Sequence, residues 1–182
     1  MKNLLRLLFA LGLFFSLASF AAAQETVLII RHAEPNEGQG LSDDGQARAA
    51  EWARYFQHFT YHGQSLPIGY IFSAIDSTQS ERPRLTLEPT ATELGLTIDT
   101  NYKTHRVDKL VSAVKALPPG SVALIGWRHG EIANLIDAFG ADPEALLPGG
   151  RWPGKIFGWL IVLQFDANGK LTGSERLSVA SD

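Results

Sequence analysis

The amino-acid sequence predicts an α/β fold: a three-layer α/β/α sandwich with a mainly parallel central sheet and a C-terminal antiparallel hairpin. Two observations predict the sheet. The runs Val27-Leu28-Ile29-Ile30 and Val122-Ala123-Leu124-Ile125 are apolar without a break, as strands covered on both faces are. Segments of helical spacing separate the strand-like runs, and that alternation yields parallel strands with helices on both sides. A third observation predicts the hairpin. The apolar residues 156–165 meet a turn at Asp166-Ala167-Asn168-Gly169-Lys170, and a weakly alternating stretch follows to residue 179.

The amino terminus has a different purpose. Lys2 and Arg6 precede the apolar residues 7–20, and Ala21-Ala22-Ala23 supplies a small-residue cleavage site. These are the three parts of a secretory signal peptide, so residues 1–23 are expected to be removed and 24–182 to form one domain. The apolar core is short for a span and polar Gln24-Glu25 follows at once, so no stable membrane span is expected after cleavage. The expected location is periplasmic or secreted. The absence of cysteine excludes a disulfide framework. Without Lys2 and Arg6 the formal charge falls from −3 to −5, which gives no overall attraction to nucleic acid. An anionic ligand must then be held by a local cluster.

The elements follow in order. Val27-Leu28-Ile29-Ile30 ends abruptly in Arg31-His32-Ala33-Glu34, and Pro35-Asn36-Glu37-Gly38 reads as a loop. Ser42 is the expected N-cap of a helix with Asp43 and Asp44 in its first turn, continuing through Trp52 and Phe56 to about residue 59. His58 and His62 stand four apart, but Gly63 and Pro67 end the helix there and no third ligand is near, so they predict a polar helix end and no metal site. Residues 68–73 form a short strand and 74–81 a polar loop. Arg82-Pro83-Arg84-Leu85-Thr86 opens a helix, interrupted at Pro89 and stopped at Gly95. A strand is expected over 96–100, then a helix through Val107, Leu110, Val111, Val114 and Leu117. The second buried strand ends, like the first, in a basic pair, Arg128-His129. A helix carries Ile132, Leu135, Ile136 and Phe139, and residues 143–154 read as a loop.

One pattern misleads. Gly149 and Gly154-Lys155 have the spacing of a phosphate-binding P-loop. Ile156 stands where the Ser or Thr magnesium ligand belongs, and a strand-like run follows where a helix is required.

His32 and His129 each sit just beyond a buried strand, where an open α/β sheet places its ligand crevice. A neutral imidazole can attack phosphorus, and Arg31 and Arg82 offer planar forks that match phosphate oxygens. Glu34 and Glu131 each lie two residues past a histidine.

These landmarks resemble those of the histidine phosphatase superfamily, which includes phosphoglycerate mutases and acid phosphatases. Arg31-His32-Ala33-Glu34 resembles its Arg-His-Gly/Ala signature, and Leu41-Ser42-Asp43-Asp44-Gly45 its Leu-Thr/Ser-x-x-Gly helix start. Arg82-Pro83-Arg84-Leu85-Thr86 resembles its Arg-Ala-x-x-Thr segment, and Trp127-Arg128-His129-Gly130 its second histidine motif. The resemblance implies a phosphomonoester hydrolase that forms a phosphohistidine on His32. Arg31, Arg82 and Arg128 would bind phosphate, and His129 would add a donor. No metal or other cofactor is implied. The leaving-group acid would be Glu131 or Glu34. Arg84 rivals Arg82, because the segment after Ser73 is longer than the family pattern. The expected partner is a phosphorylated small molecule or an envelope component, with the oligomeric state left open. A mutase fits an exported chain poorly. The alternatives are a non-catalytic phosphate-ligand binder on the same fold and a structural envelope domain.

Overall fold

A computed structural model describes residues 25–179. The signal peptide expected over 1–23 lies outside the described residues. Eight strands and five α-helices follow in chain order: β1 (Glu25–Arg31), α1 (Asp43–Gln57), β2 (Thr60–Tyr61), β3 (Gln64–Ser65), β4 (Tyr70–Ala74), α2 (Arg82–Leu94), β5 (Ile98–Tyr102), α3 (Val107–Val114), β6 (Val122–Trp127), α4 (His129–Ala138), α5 (Pro143–Leu146), β7 (Trp159–Phe165) and β8 (Leu171–Ser178). The main sheet has the order β5-β4-β6-β1-β7-β8. β5, β4, β6 and β1 run parallel, while β7 and β8 add the antiparallel C-terminal hairpin. The expected sandwich is therefore the fold observed.

Side-chain alternation on β1 assigns the layers. Val27 and Ile29 pack with Leu110 of α3 and Leu135 of α4; Leu28 and Ile30 pack with Trp52 of α1 and Leu87 of α2. All four β1 residues have no exposed surface, which is why this strand reads as unbroken hydrophobic sequence. On α1, Trp52 and Phe56 lie one turn apart and stack at 5.2 Å, sealing that layer against the sheet.

Five local expectations are corrected. Pro89 does not interrupt α2, which runs from Arg82 to Leu94. Pro89 sits on the half-buried flank facing α1, so the hydrogen bond its ring removes is not lost inside the core. β5 begins at Ile98 rather than 96 because Leu96 closes the helix. Gly95 takes φ 65° and the Leu96 N–H donates to the Ala91 carbonyl at 2.9 Å. The polar end of α1 leads into the small β2–β3 hairpin, whose turn residues His62 and Gly63 have φ 48° and 77°. Finally, residues 156–158 are not strand. The Ile156 carbonyl accepts from Arg31 Nη1 at 3.0 Å and Trp152 Nε1 at 2.8 Å, so it is unavailable to a ladder. The stretch expected as loop from 143 also contains α5, capped by Asp142, whose carboxylate accepts from the Glu144 N–H.

Candidate active site

β1 and β6 are parallel neighbours in the register Arg31↔Trp127, so both histidine-bearing ends emerge side by side. The His32 N–H continues the pairing by donating to the Trp127 carbonyl at 3.0 Å. The His32 and His129 rings meet edge to face, 6.2 Å between centroids. His32 Nδ1 lies 2.7 Å from the Ala33 carbonyl oxygen. A carbonyl only accepts, so Nδ1 carries the proton and Nε2 keeps its lone pair. Burial, together with the charges of Arg31 and Arg82, lowers the His32 pKa to about 4 despite the opposing carbonyl bond. The ring is neutral at pH 7, as a nucleophile must be. His129 is also lowered, first by burial and then by Arg31. It opens α4, and its Nδ1 is buried without a hydrogen-bond partner among the described residues.

Two glycines and a threonine hold helices against this edge. A Cβ on Gly45 would stand 2.2 Å from the Glu34 carbonyl oxygen, so only glycine lets α1 abut the loop that leaves His32. A Cβ on Gly126 would stand 2.7 Å from Leu87 Cδ1 and 3.1 Å from the Pro83 carbonyl oxygen; its absence lets α2 rest on β6. Thr86 Oγ1 accepts from the Ala33 N–H at 2.8 Å and donates to the Arg82 carbonyl at 2.8 Å. One buried hydroxyl thus ties the His32 loop to the first turn of α2.

The arginines divide into three kinds. Arg82 lines the cavity beside the two histidines, steadied by Nε on the Gly40 carbonyl at 3.1 Å and by Nη2 on that of Gly38. Arg128 lines the same cavity and donates from Nη2 to Ser77 Oγ at 2.7 Å. Arg31 is buried behind them. Its Nη1 donates to the carbonyls of Pro153, Gly154 and Ile156 at 3.2, 2.8 and 3.0 Å, and its guanidinium lies 3.8 Å over the Phe157 ring. Arg31 therefore anchors a loop and contributes charge to both histidines. Its partners also dispose of the P-loop pattern: Pro153 and Gly154 turn carbonyls toward a cation, where a phosphate loop turns N–H groups toward an anion. Arg84 points away, engaged by Asp76 at 2.7 Å, by Glu81 at 3.4 Å and by Glu88.

The two candidate acids separate as clearly. Glu34 is half-buried and clamped by Arg48 at 2.6 Å, away from the cavity. Glu131 lines the cavity, its Oε2 accepting from Asn134 Nδ2 at 2.8 Å. The cavity measures about 460 Å³ and has no other carboxylate in its lining. Gln79, Ser80, Thr104 and His105 also line it. Sequence reasoning missed these four, which sit on two aperiodic polar loops that only the sheet order brings to one rim. Among the described residues no group of three His, Cys, Asp or Glu side chains is placed to hold a metal ion. His62 instead lies 3.3 Å from Glu175 and stacks on Tyr61.

No protein-family model matches the chain, and no curated protein matches its sequence. Solved structures do share its fold. A protein of Escherichia coli K-12 assigned as an alpha-ribazole-5'-P phosphatase superposes with a TM-score of 0.59 at 11% identity, covering 86% of this chain and 96% of that one. A protein of Agrobacterium tumefaciens assigned as the phosphohistidine phosphatase SixA gives 0.54 at 20% identity, covering 82% and 96%. A phosphoglycerate mutase from Plasmodium falciparum gives 0.55 at 13% identity, covering 82% and 88%. The fold of this chain is thus the phosphoglycerate-mutase-like α/β sandwich.

Proposed function

We propose that this chain is a metal-independent phosphomonoester hydrolase that works through a phosphohistidine on His32. One observation carries the reading: a neutral imidazole with Nδ1 tied to a carbonyl faces a second imidazole, inside a cavity lined by two guanidinium groups. The fold shared with phosphatases and a mutase supports it.

The phosphate of the ester binds between His32 and His129. His32 Nε2 attacks phosphorus, an N–P bond forms and the P–O bond to the leaving group breaks. Glu131 gives the departing oxygen its proton. Charge spread over the equatorial oxygens meets Arg82, Arg128 and a protonated His129, with Arg31 behind them. The dianion raises the otherwise lowered affinity of His129 for a proton. Water then attacks phosphorus, Glu131 takes a proton from it, and the N–P bond breaks to give inorganic phosphate and free His32. Export of the chain, by cleavage after Ala23, belongs to the same proposal and is checked by cell fractionation. The natural ester is accordingly a phosphorylated small molecule or envelope component.

The test uses an aryl phosphate and an alkaline quench, in which a phosphohistidine survives. Wild type should turn the ester over and carry label; His32→Ala should do neither. Tight phosphate binding without turnover or label in wild type would instead make the protein a binder.

A further inference from the structure

Phe157 belongs by sequence to the apolar run that leads into β7, but it stands outside the ladder, which begins at Trp159. Its ring faces the nucleophile instead. The Phe157 and His32 rings lie 6.5 Å apart, centroid to centroid, at an interplanar angle of 58°, within the range of aromatic pairs in contact. The Arg31 guanidinium lies 3.8 Å over the same Phe157 ring. Arg31 and His32 are consecutive, so Phe157 is gripped by one residue and bears on the next.

The backbone on either side of Phe157 is held as well. The Ile156 carbonyl accepts from Arg31 Nη1 at 3.0 Å and from Trp152 Nε1 at 2.8 Å. The Gly158 carbonyl accepts from the Val179 N–H at 2.9 Å. Phe157 is thus a half-buried ring on a rigid mount, outside the lining of the phosphate cavity. A phenyl ring offers neither a proton nor a lone pair, so it can act only through a neighbour. The His32 ring makes one hydrogen bond among the described residues, from Nδ1 to the Ala33 carbonyl. That bond fixes the tautomer but leaves the ring able to tilt about it. Ring contacts from two separate elements remove the freedom: His129 of α4 and Phe157 of the loop.

We propose that Phe157 is the positioning residue of the nucleophile: gripped by Arg31, its ring holds the His32 imidazole in the plane from which Nε2 attacks and excludes water from its flank. The proposal deepens the phosphatase reading and rests on it for the attack. The charges around His32 are Arg31 beside it, Arg82 of α2, Arg128 after β6, and His129 and Glu131 of α4; the Phe157 loop adds none to the cavity lining. Substituting Phe157 alters none of these charges, so a change in His32 reports the loss of the ring.

The test is an NMR titration of the full chain labelled in histidine, with His32 assigned by the signal lost in His32→Gln, beside kinetics with an aryl phosphate. Wild-type His32 should titrate at about 4 and carry its neutral proton on Nδ1. Phe157→Leu stays apolar but loses the flat face. Water then reaches the imidazole, its proton affinity should rise about tenfold, and the two tautomers should mix. In that variant kcat should fall about tenfold with KM changed less than about threefold, and the acid limb of kcat/KM should move up with the titration. Phe157→Tyr, which keeps the ring, should return both to within about threefold of wild type. A merely structural Phe157 would lower the urea midpoint of Phe157→Leu and leave the His32 titration in place, and that result overturns the proposal. A titration that moves in Phe157→Leu and returns in Phe157→Tyr sustains it even where wild type neither turns over the ester nor carries label, in which case the phosphatase reading alone falls.

Discussion

His32 shows how one side chain links reactivity to stability. Burial and the neighbouring guanidinium groups make its protonated form unfavourable in the folded chain, so its pKa drops from 6.5 to about 4. Between those values the unfolded chain binds a proton that the folded chain refuses, so stability rises with pH across that window. His32 alone contributes roughly 3 kcal/mol that is present above pH 6.5 and lost as the pH falls toward 4. Urea midpoints measured from pH 7.5 to 4.5 should fall for wild type and fall distinctly less for His32→Gln. Parallel curves would show that this imidazole is not the group being titrated. The arginines make a second prediction at this scale. Arg82→Ala should lower aryl phosphate kcat/KM by at least 100-fold, about the 3 kcal/mol expected for a lost charged donor to the transition state. Arg84→Ala should leave kcat/KM within about threefold. Its ion pairs are partly exposed to solvent and should cost only ~1 kcal/mol in denaturant midpoints.

At the scale of elements, the geometry of the candidate site depends on how closely α2 lies on β6 and on the His32 loop. Thr86→Val keeps the side-chain volume but removes the acceptor of the buried Ala33 N–H. The expected cost is about 1–3 kcal/mol of stability, with a fall in kcat larger than any rise in KM, because His32 and Arg82 lose their shared tether. A purely structural threonine would lower stability and leave kcat per folded molecule intact. Gly126→Ala should act similarly from the sheet side. Leu87 can rotate away from the new methyl group, but the Pro83 carbonyl at 3.1 Å belongs to the helix itself and can give way only if α2 shifts. These elements also show what the sequence could reveal. The two buried strands and their basic ends were legible because burial on both faces leaves an unbroken apolar run. Ser42 was legible as a cap because its hydroxyl accepts the Gly45 N–H. The start of β7 was not, because residues 156–158 have strand composition but serve Arg31 and Trp152. The cavity rim was not, because Ser80 and His105 come from loops joined only by the placement of β4 beside β5. The separation of Arg82 from Arg84 was open in one dimension and closes only when Asp76, Glu81 and Glu88 surround the second.

At the scale of the whole molecule, the charge is divided against itself. The chain beyond residue 23 is net acidic, yet the crevice at the ends of β1 and β6 gathers Arg82, Arg128, His32 and His129 around one carboxylate, Glu131. Such a site concentrates small anions while the rest of the surface repels polyanions. An anion that binds only the folded state must then raise its melting temperature. At a hundred times its dissociation constant the gain is about 2.7 kcal/mol, or roughly 5–10 °C for a domain of this size. Inorganic phosphate or vanadate should produce that rise in a thermal scan, double-stranded DNA should not, and the rise should shrink in 0.5 M sodium chloride as ions screen the cluster. It should also vanish when Arg82 and His129 are both replaced by Ala. If the doubly substituted protein gained as much from phosphate as the parent, the anion would be binding elsewhere, and the crevice between the two histidines would lose its claim to be the phosphate site.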